Sequence, residues 1–215
     1  MRFFAVTADL SEIVGLAALG LLDGAAVSPA MVTQPGPGSY LALVASIAAA
    51  VSGPVCADLT ASDHAAMMVE AMELANLARN IAVTVPASPA GLKTCKILHD
   101  TGTMCAVTLC FTPAQALLAA RAEAAFVLPC VDSLESAGES GVKLVSEICD
   151  IFRNYPSVRT KVFATSLSSA NQIMECARIG AHGALAAPRL LHQLRRHALT
   201  DKSVARCWAD ARRAD

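Results

Sequence analysis

The sequence predicts a single-domain α/β fold, a (β/α)8 barrel of the TIM type followed by one extra C-terminal helix. Three observations predict it. Short apolar runs alternate with longer helical patterns from end to end, there are eight such runs, and the connections between them are short. The composition fits as well: 54% of residues are hydrophobic but only 4% aromatic, so small and β-branched side chains must fill most of the interior of packed α/β layers. At 215 residues the chain is long enough for one large core and too short for two independent ones.

The expected strands, in order, are Arg2–Val6, Gly24–Ser28, Pro54–Leu59, Ile81–Val85, Met104–Leu109, Ala125–Leu128, Lys161–Thr165 and His182–Ala186. The helical patterns between and after them run over Leu10–Leu19, Ser39–Val51, Asp63–Ala78, Pro89–Asp100, Pro113–Arg121, Ser140–Asn154, Ser169–Ile179 and Pro188–Arg196. Ser62, Ser88 and Thr112 carry hydroxyls that can accept an orphan amide hydrogen bond at a helix start, and Pro89 and Pro113 suit the first helical position, where no amide donor is needed. An open, doubly wound sheet is the competing architecture. It normally carries a glycine-rich turn after its first strand, and here that turn is Val6-Thr-Ala-Asp9. Gln34-Pro-Gly-Pro-Gly38 is the one turn-rich cluster. The barrel is expected to occupy residues 1–198 and the final helix residues 199–215. In that helix Val204, Cys207 and Trp208 fall at i, i+3 and i+4, a stripe that needs a surface to pack on; with the barrel complete, a neighbouring subunit is expected to supply it.

Charge and cysteine content narrow the function classes. Seventeen basic and eighteen acidic residues give a net charge of −1, which leaves no field to recruit nucleic acid or anionic lipid. Eight cysteines without a CxxC pair, several inside apolar runs such as Met104-Cys-Ala-Val-Thr-Leu-Cys110, read as buried free thiols of a reducing compartment rather than a disulfide framework or zinc site. The N-terminus lacks a signal-peptide pattern, and apolar stretches such as Leu41–Val51 fall short of the ~20 residues a membrane helix needs. A cytoplasmic protein with no membrane partner is expected. His64, His99, His182, His192 and His197 fall in helices or at the start of the eighth strand, on the opposite face, so no metal site is expected, nor any other cofactor.

Three stretches resemble the small transaldolase family, which includes fructose-6-phosphate aldolase. Val107-Thr-Leu-Cys-Phe-Thr-Pro-Ala-Gln-Ala-Leu-Leu-Ala-Ala-Arg-Ala122 is similar to the family's fifth strand and following helix. Gly91-Leu-Lys-Thr-Cys-Lys-Ile-Leu98 is similar to the helix after its fourth strand, and His197-Ala-Leu-Thr-Asp-Lys-Ser203 to its HPLTDKG segment. Phe3-Phe4, Leu21-Leu-Asp-Gly24 and Gly53-Pro-Val55 fall in register, so the resemblance covers essentially the whole chain. It implies the barrel, and ring-shaped homo-oligomers, decamers among them, in which the last helix reaches onto an adjacent protomer.

Breaking a carbon–carbon bond beside a ketone requires a sink for the carbanion, either a lysine imine or a metal-bound enolate. The family uses a lysine in a V-K-V/I-P sequence near the end of strand four. The matching residue in Ile81-Ala-Val-Thr-Val-Pro86 is Thr84, whose hydroxyl cannot form an iminium; Lys93 and Lys96 match ordinary lysines of the following helix. Elsewhere the resemblance places Val6 where the family has a first-strand aspartate and Ser28 where an asparagine follows strand two. Asp58 falls at the third strand's polar position, and Ala106 replaces the asparagine of N-V-T-L, with Thr108 kept. Cys130 and Ser133 stand for an aromatic residue and an arginine after strand six; in the seventh-strand A-A-S stretch Ser166 is kept, while Ser168 stands for a basic residue. Cys130 could act as a nucleophile, but with no histidine adjacent in sequence and no nearby cation it reads as a neutral structural thiol.

No catalytic set is thus expected to be intact at Val6, Ser28, Asp58, Thr84, Ala106 and Cys130. Ser28, Asp58, Thr84, Thr108, Cys130, Ser133, Ser166 and Ser168 are the candidates for holding a ligand. Loss of the two basic positions removes the bidentate, charge-assisted contacts that a sugar phosphate favours. The expectation is a transaldolase-family barrel without aldol chemistry, serving as scaffold, partner subunit or binder of a small neutral ligand. The alternative is a transaldolase or fructose-6-phosphate-aldolase-like enzyme of carbohydrate metabolism with altered specificity.

Overall fold

Eight short strands, β1 (Arg2–Val6), β2 (Gly24–Val27), β3 (Val55–Asp58), β4 (Ile81–Pro86), β5 (Met104–Cys110), β6 (Phe126–Pro129), β7 (Lys161–Ala164) and β8 (Gly183–Ala186), pair in parallel in sequence order, and β8 returns to β1 to close the barrel. The structure, a computed structural model, describes residues 1–33, 36 and 38–214. Gln34, Pro35 and Pro37 of the turn-rich cluster lie outside the described residues.

The helices are α1 (Leu10–Ala18), α2 (Ser39–Ala50), α3 (His64–Ala75), α4 (Pro89–Asp100), α5 (Pro113–Arg121), α6 (Val131–Ser136), α7 (Gly141–Arg153), α8 (Ala170–Ile179), α9 (Pro188–Leu194) and α10 (Ala198–Ala214), with one 3-10 turn at Pro29–Met31. All eight strands fall within a residue or two of expectation. Ser88 caps α4 and Thr112 caps α5, the latter in a reciprocal capping box with Gln115, and Pro89 and Pro113 open these helices. The expected cap at Ser62 is corrected by one residue: Asp63 accepts the amide of Ala66, and α3 ends at Ala75 rather than Ala78. A carboxylate at this position also answers the helix dipole, which a hydroxyl does less well. The six-residue α6 was not expected; a helix of under two turns leaves too little periodicity to read.

Register fixes which side chains enter the barrel. Phe4, Ala26, Cys56, Ala82, Ala106, Phe126, Leu128, Phe163 and Leu185 form one buried cluster inside it, and the alternate residues pack outward under the helices. The division is lopsided. β6, β7, β8 and β1 contribute Phe126, Phe163, Leu185 and Phe4, whereas β2 to β5 contribute only Ala26, Cys56, Ala82 and Ala106. Phe4, Phe126 and Phe163 pack ring against ring at centroid distances of 4.9 to 6.0 Å, in tilted and edge-on geometry. The room for them comes from glycine. A Cβ at Gly183 would lie 2.2 Å from the Phe163 ring, and one at Gly24 would lie 2.8 Å from the Phe4 ring and 2.4 Å from the Pro54 carbonyl. Three aromatic side chains thus plug the barrel below its mouth, which is how so aromatic-poor a chain fills its centre.

α10 stands apart from this packing. Leu199, Val204 and Trp208 are 66%, 40% and 63% exposed, and Cys207 is exposed with them. The expected stripe therefore exists, and no part of the described chain covers it. Among the described residues no helix is long and apolar enough to cross a membrane.

Candidate functional site

The carboxyl ends of the strands open on one side of the aromatic plug, where barrels of this type place their chemistry. A cavity of about 100 Å3 lies there, lined by Val6, Ser28, Met31, Cys56, Asp58, Thr108, Leu128, Thr165 and Leu185, with Ala26 and Val27 beneath. Of the residues singled out in the sequence, Val6, Ser28, Asp58 and Thr108 meet at this cavity. Thr84 lies beside it, opposite Asp58 in the β3–β4 register.

Each of these positions has a local cause. Ser28 follows β2 and precedes the 3-10 turn, yet its hydroxyl makes no capping bond. Tyr40 of α2 shares its hydroxyl between the carbonyls of Val27 (3.1 Å) and Asp58 (3.0 Å), tying the ends of β2 and β3 together. The loop after Asp58 is held by Glu70, whose carboxylate accepts bonds from the Thr60 amide and hydroxyl and the Ala61 amide. Asp58 is thereby fixed from both sides. Burial raises its pKa from 3.8 to about 6, against a smaller downward pull from the neighbouring Thr84 hydroxyl.

Thr84 is 2% exposed, and its hydroxyl oxygen has no partner in hydrogen-bond geometry, even though it is near enough to Asp58 to perturb that carboxyl. The Thr84 hydroxyl therefore lowers the Asp58 pKa as a nearby dipole rather than through an aligned hydrogen bond. A buried hydroxyl without a partner is uncommon and costly. Ala106, its neighbour on β5, is fully buried in the barrel interior and does not reach the cavity.

The remaining candidates are dispersed. Cys130 is 5% exposed, its Sγ 3.8 Å from the Leu128 carbonyl, and burial raises its pKa, so it holds a neutral thiol at pH 7. Ser133 and Ser166 come together at the rim with hydroxyls 3.1 Å apart, Ser166 in a left-handed conformation with φ 54°. Neither lines the cavity. Ser168 is drawn into the start of α8, where its amide and hydroxyl both donate to Gln172. Leu109, also left-handed (φ 53°), coincides with a register shift between Val107 and Cys110. That bulge turns Cys110 into the outer core and leaves Leu109 half exposed at the mouth.

Sequence reasoning missed Thr165, Tyr40 and Met31. Thr165 was legible: it continues the inward parity of Lys161 and Phe163 along β7. Tyr40 was not, because its role depends on two carbonyls on other elements.

No lysine lines the cavity among the described residues. Lys93 and Lys96 are exposed on α4, Lys96 paired with Asp100 at 2.8 Å. Lys143 is exposed on α7, Lys202 on α10, and Lys161 stands at the opposite end of the barrel, at the start of β7. The histidines scatter too: His64 bonds Thr94, His192 bonds Glu12 and His182 accepts the Val162 amide. No cluster of metal-binding residues occurs among the described residues. Seven cysteines are buried free thiols and Cys207 is exposed.

Fold and mouth define the class: a (β/α)8 barrel with a small cavity at the carboxyl ends of its strands and one half-buried carboxyl lining it. The sequence pattern of the family described as transaldolase/fructose-6-phosphate aldolase matches residues 6–214. A protein of Rhodospirillum centenum named "Probable transaldolase" is 47% identical over 98% of this chain and 90% of its own length. Proteins of the same name from Parvibaculum lavamentivorans and Ruegeria pomeroyi are 44% and 40% identical, over 98% and 100% of this chain and 96% and 98% of their own. The chain belongs to the transaldolase/fructose-6-phosphate aldolase family.

Proposed function

We propose that this barrel carries out no imine-based aldol chemistry and instead holds a small ligand lacking a phosphate group, as a cytoplasmic member of the family that assembles into rings. The observation that carries this reading is the position opposite Asp58, which holds Thr84, with no lysine lining the cavity among the described residues. A hydroxyl has no nitrogen with which to form an iminium, so the electron sink for carbon–carbon cleavage is missing. Ser133 and Ser168 offer no charge for a phosphate, and Ser168 is already engaged by Gln172. The uncovered stripe of α10 supports assembly through that helix. The expected test is incubation with fructose 6-phosphate or dihydroxyacetone and borohydride, read by intact mass. The mass stays unchanged; an adduct on any lysine refutes the reading.

A second reading, an active transaldolase with altered specificity, is favoured by the names of the 40–47% identical relatives. It requires one of the exposed lysines to reach substrate. Turnover abolished by Lys93→Ala or Lys96→Ala would establish it.

A further inference from the structure

Asp58 is the only acidic residue lining the mouth cavity among the described residues, and it has no counter-charge there. The ion pairs of the described residues, Lys96–Asp100, Lys143–Glu147, Arg153–Asp150 and His192–Glu12, all lie on the outer helices. The groups close enough to feel the Asp58 charge are Tyr40, Cys56 and Cys130, and each is neutral. Glu70, on the same end of the barrel, is itself acidic and spent on Thr60 and Ala61. Among the described residues, Lys93 near the start of α4, Lys143, paired with Glu147 near the start of α7, and Arg189, exposed in the first turn of α9, are the basic side chains in the early turns of these helices. None of them lines the cavity.

A largely buried carboxylate with no partner is an expensive arrangement unless something supplies the missing charge. The carboxyl titrates near pH 6 and is ionised above it. Ser28, Thr108 and Thr165 line the same cavity with their hydroxyl-bearing side chains, while the unpartnered Thr84 hydroxyl is buried beside Asp58, outside the lining. These groups want a ligand that donates hydrogen bonds and carries positive charge at one end. The volume, about 100 Å3, sets its size. At the ~30 Å3 that a water molecule occupies in the liquid, this is room for roughly three water-sized groups, the scale of a two-carbon compound with a polar group at each end.

Resting on the reading that the mouth binds a ligand without imine chemistry, we propose that the ligand is a small primary ammonium compound, its –NH3+ held by Asp58 and its polar remainder by the hydroxyls of Ser28, Thr108 and Thr165. An ammonium group is a donor only, which suits a carboxylate surrounded by hydroxyls that can turn to accept. Its bonds to an ionised partner are also the stronger, charge-assisted kind. A neutral polyol would leave the carboxylate uncompensated, and an anion would face it directly. The neutral ligand expected from the sequence is sharpened here to a cationic one, because only the structure reveals that Asp58 is alone.

The test is isothermal titration calorimetry of the full chain at about pH 7.5, where the carboxyl is ionised, with three probes matched in size: ethanolamine, ethylene glycol and glycolate. Ethanolamine is expected to bind at least about tenfold more tightly than ethylene glycol, a difference worth ~1.4 kcal/mol, and glycolate not to bind. Asp58→Asn should erase the preference, and Thr108→Val should weaken ethanolamine a few-fold. Ethylene glycol or glycolate binding as tightly as ethanolamine, an absence of heat from ethanolamine, or unchanged ethanolamine affinity in Asp58→Asn would each overturn the proposal. The ranking of probes is measured on the unaltered protein, so it stands even if a variant fails to fold. It is also independent of the borohydride result, which tests the imine alone.

Discussion

Replacing Asp58 by asparagine tests the electrostatics of the mouth. Below pH 3.8 the carboxyl is protonated in both the folded and the unfolded chain, and it contributes nothing to pH dependence. Above about 6 it is ionised in both, but the folded chain then holds the charge out of water. Between these limits the folded state binds more protons than the unfolded one, so stability falls as pH rises. The gap from 3.8 to about 6, at 1.36 kcal/mol per pH unit, corresponds to a loss of about 3 kcal/mol, complete near pH 7. For a chain of this length that is roughly 6 to 12 °C in Tm. Thermal unfolding followed by circular dichroism between pH 4 and 8 should show this decline in the wild-type protein. In Asp58→Asn the decline from this group disappears, and any residual slope belongs to other carboxylates. Parallel pH profiles for the two proteins would refute both the buried, uncompensated state of Asp58 and the ligand class built on it.

Two further outcomes are expected. Thr84→Val keeps the shape of the side chain and removes a buried hydroxyl that has no partner, so denaturant unfolding should show a gain of about 1 kcal/mol; a loss of stability would mean that the hydroxyl is bonded after all. Deleting residues 198–215 removes the exposed Leu199, Val204 and Trp208, and light scattering should then report a smaller species than the intact chain forms; an unchanged mass per particle would refute a role of this helix in assembly.

Much of the barrel was legible because its signal is local. Strand and helix periods, the caps at Ser88 and Thr112 and the prolines at Pro89 and Pro113 depend only on neighbouring residues, and the structure returns them nearly unchanged. The shift from Ser62 to Asp63 and the short α6 show where that signal weakens: two adjacent capping side chains compete, and six residues hold too little pattern. The mouth was only partly legible. Inward parity carried Val6, Asp58, Thr84 and Thr108 to one end of the barrel and would have carried Thr165 as well. Ser168 looked equivalent to its neighbours in sequence but is consumed by a helix cap.

By itself, the sequence determined the (β/α)8 class, the order of its elements and the residue types available at the mouth, because each of these is set by short-range pattern and by which atoms a side chain owns. Only the tertiary structure decided that three phenylalanines from one half of the barrel plug its centre, with glycine making the room. It alone decided that, among the described residues, no lysine lines the cavity and that Asp58 stands half-buried without a counter-charge in the lining, beside an orphan hydroxyl. Burial, desolvation and the presence or absence of a partner are sums over atoms far apart in the chain. No stretch of sequence contains them.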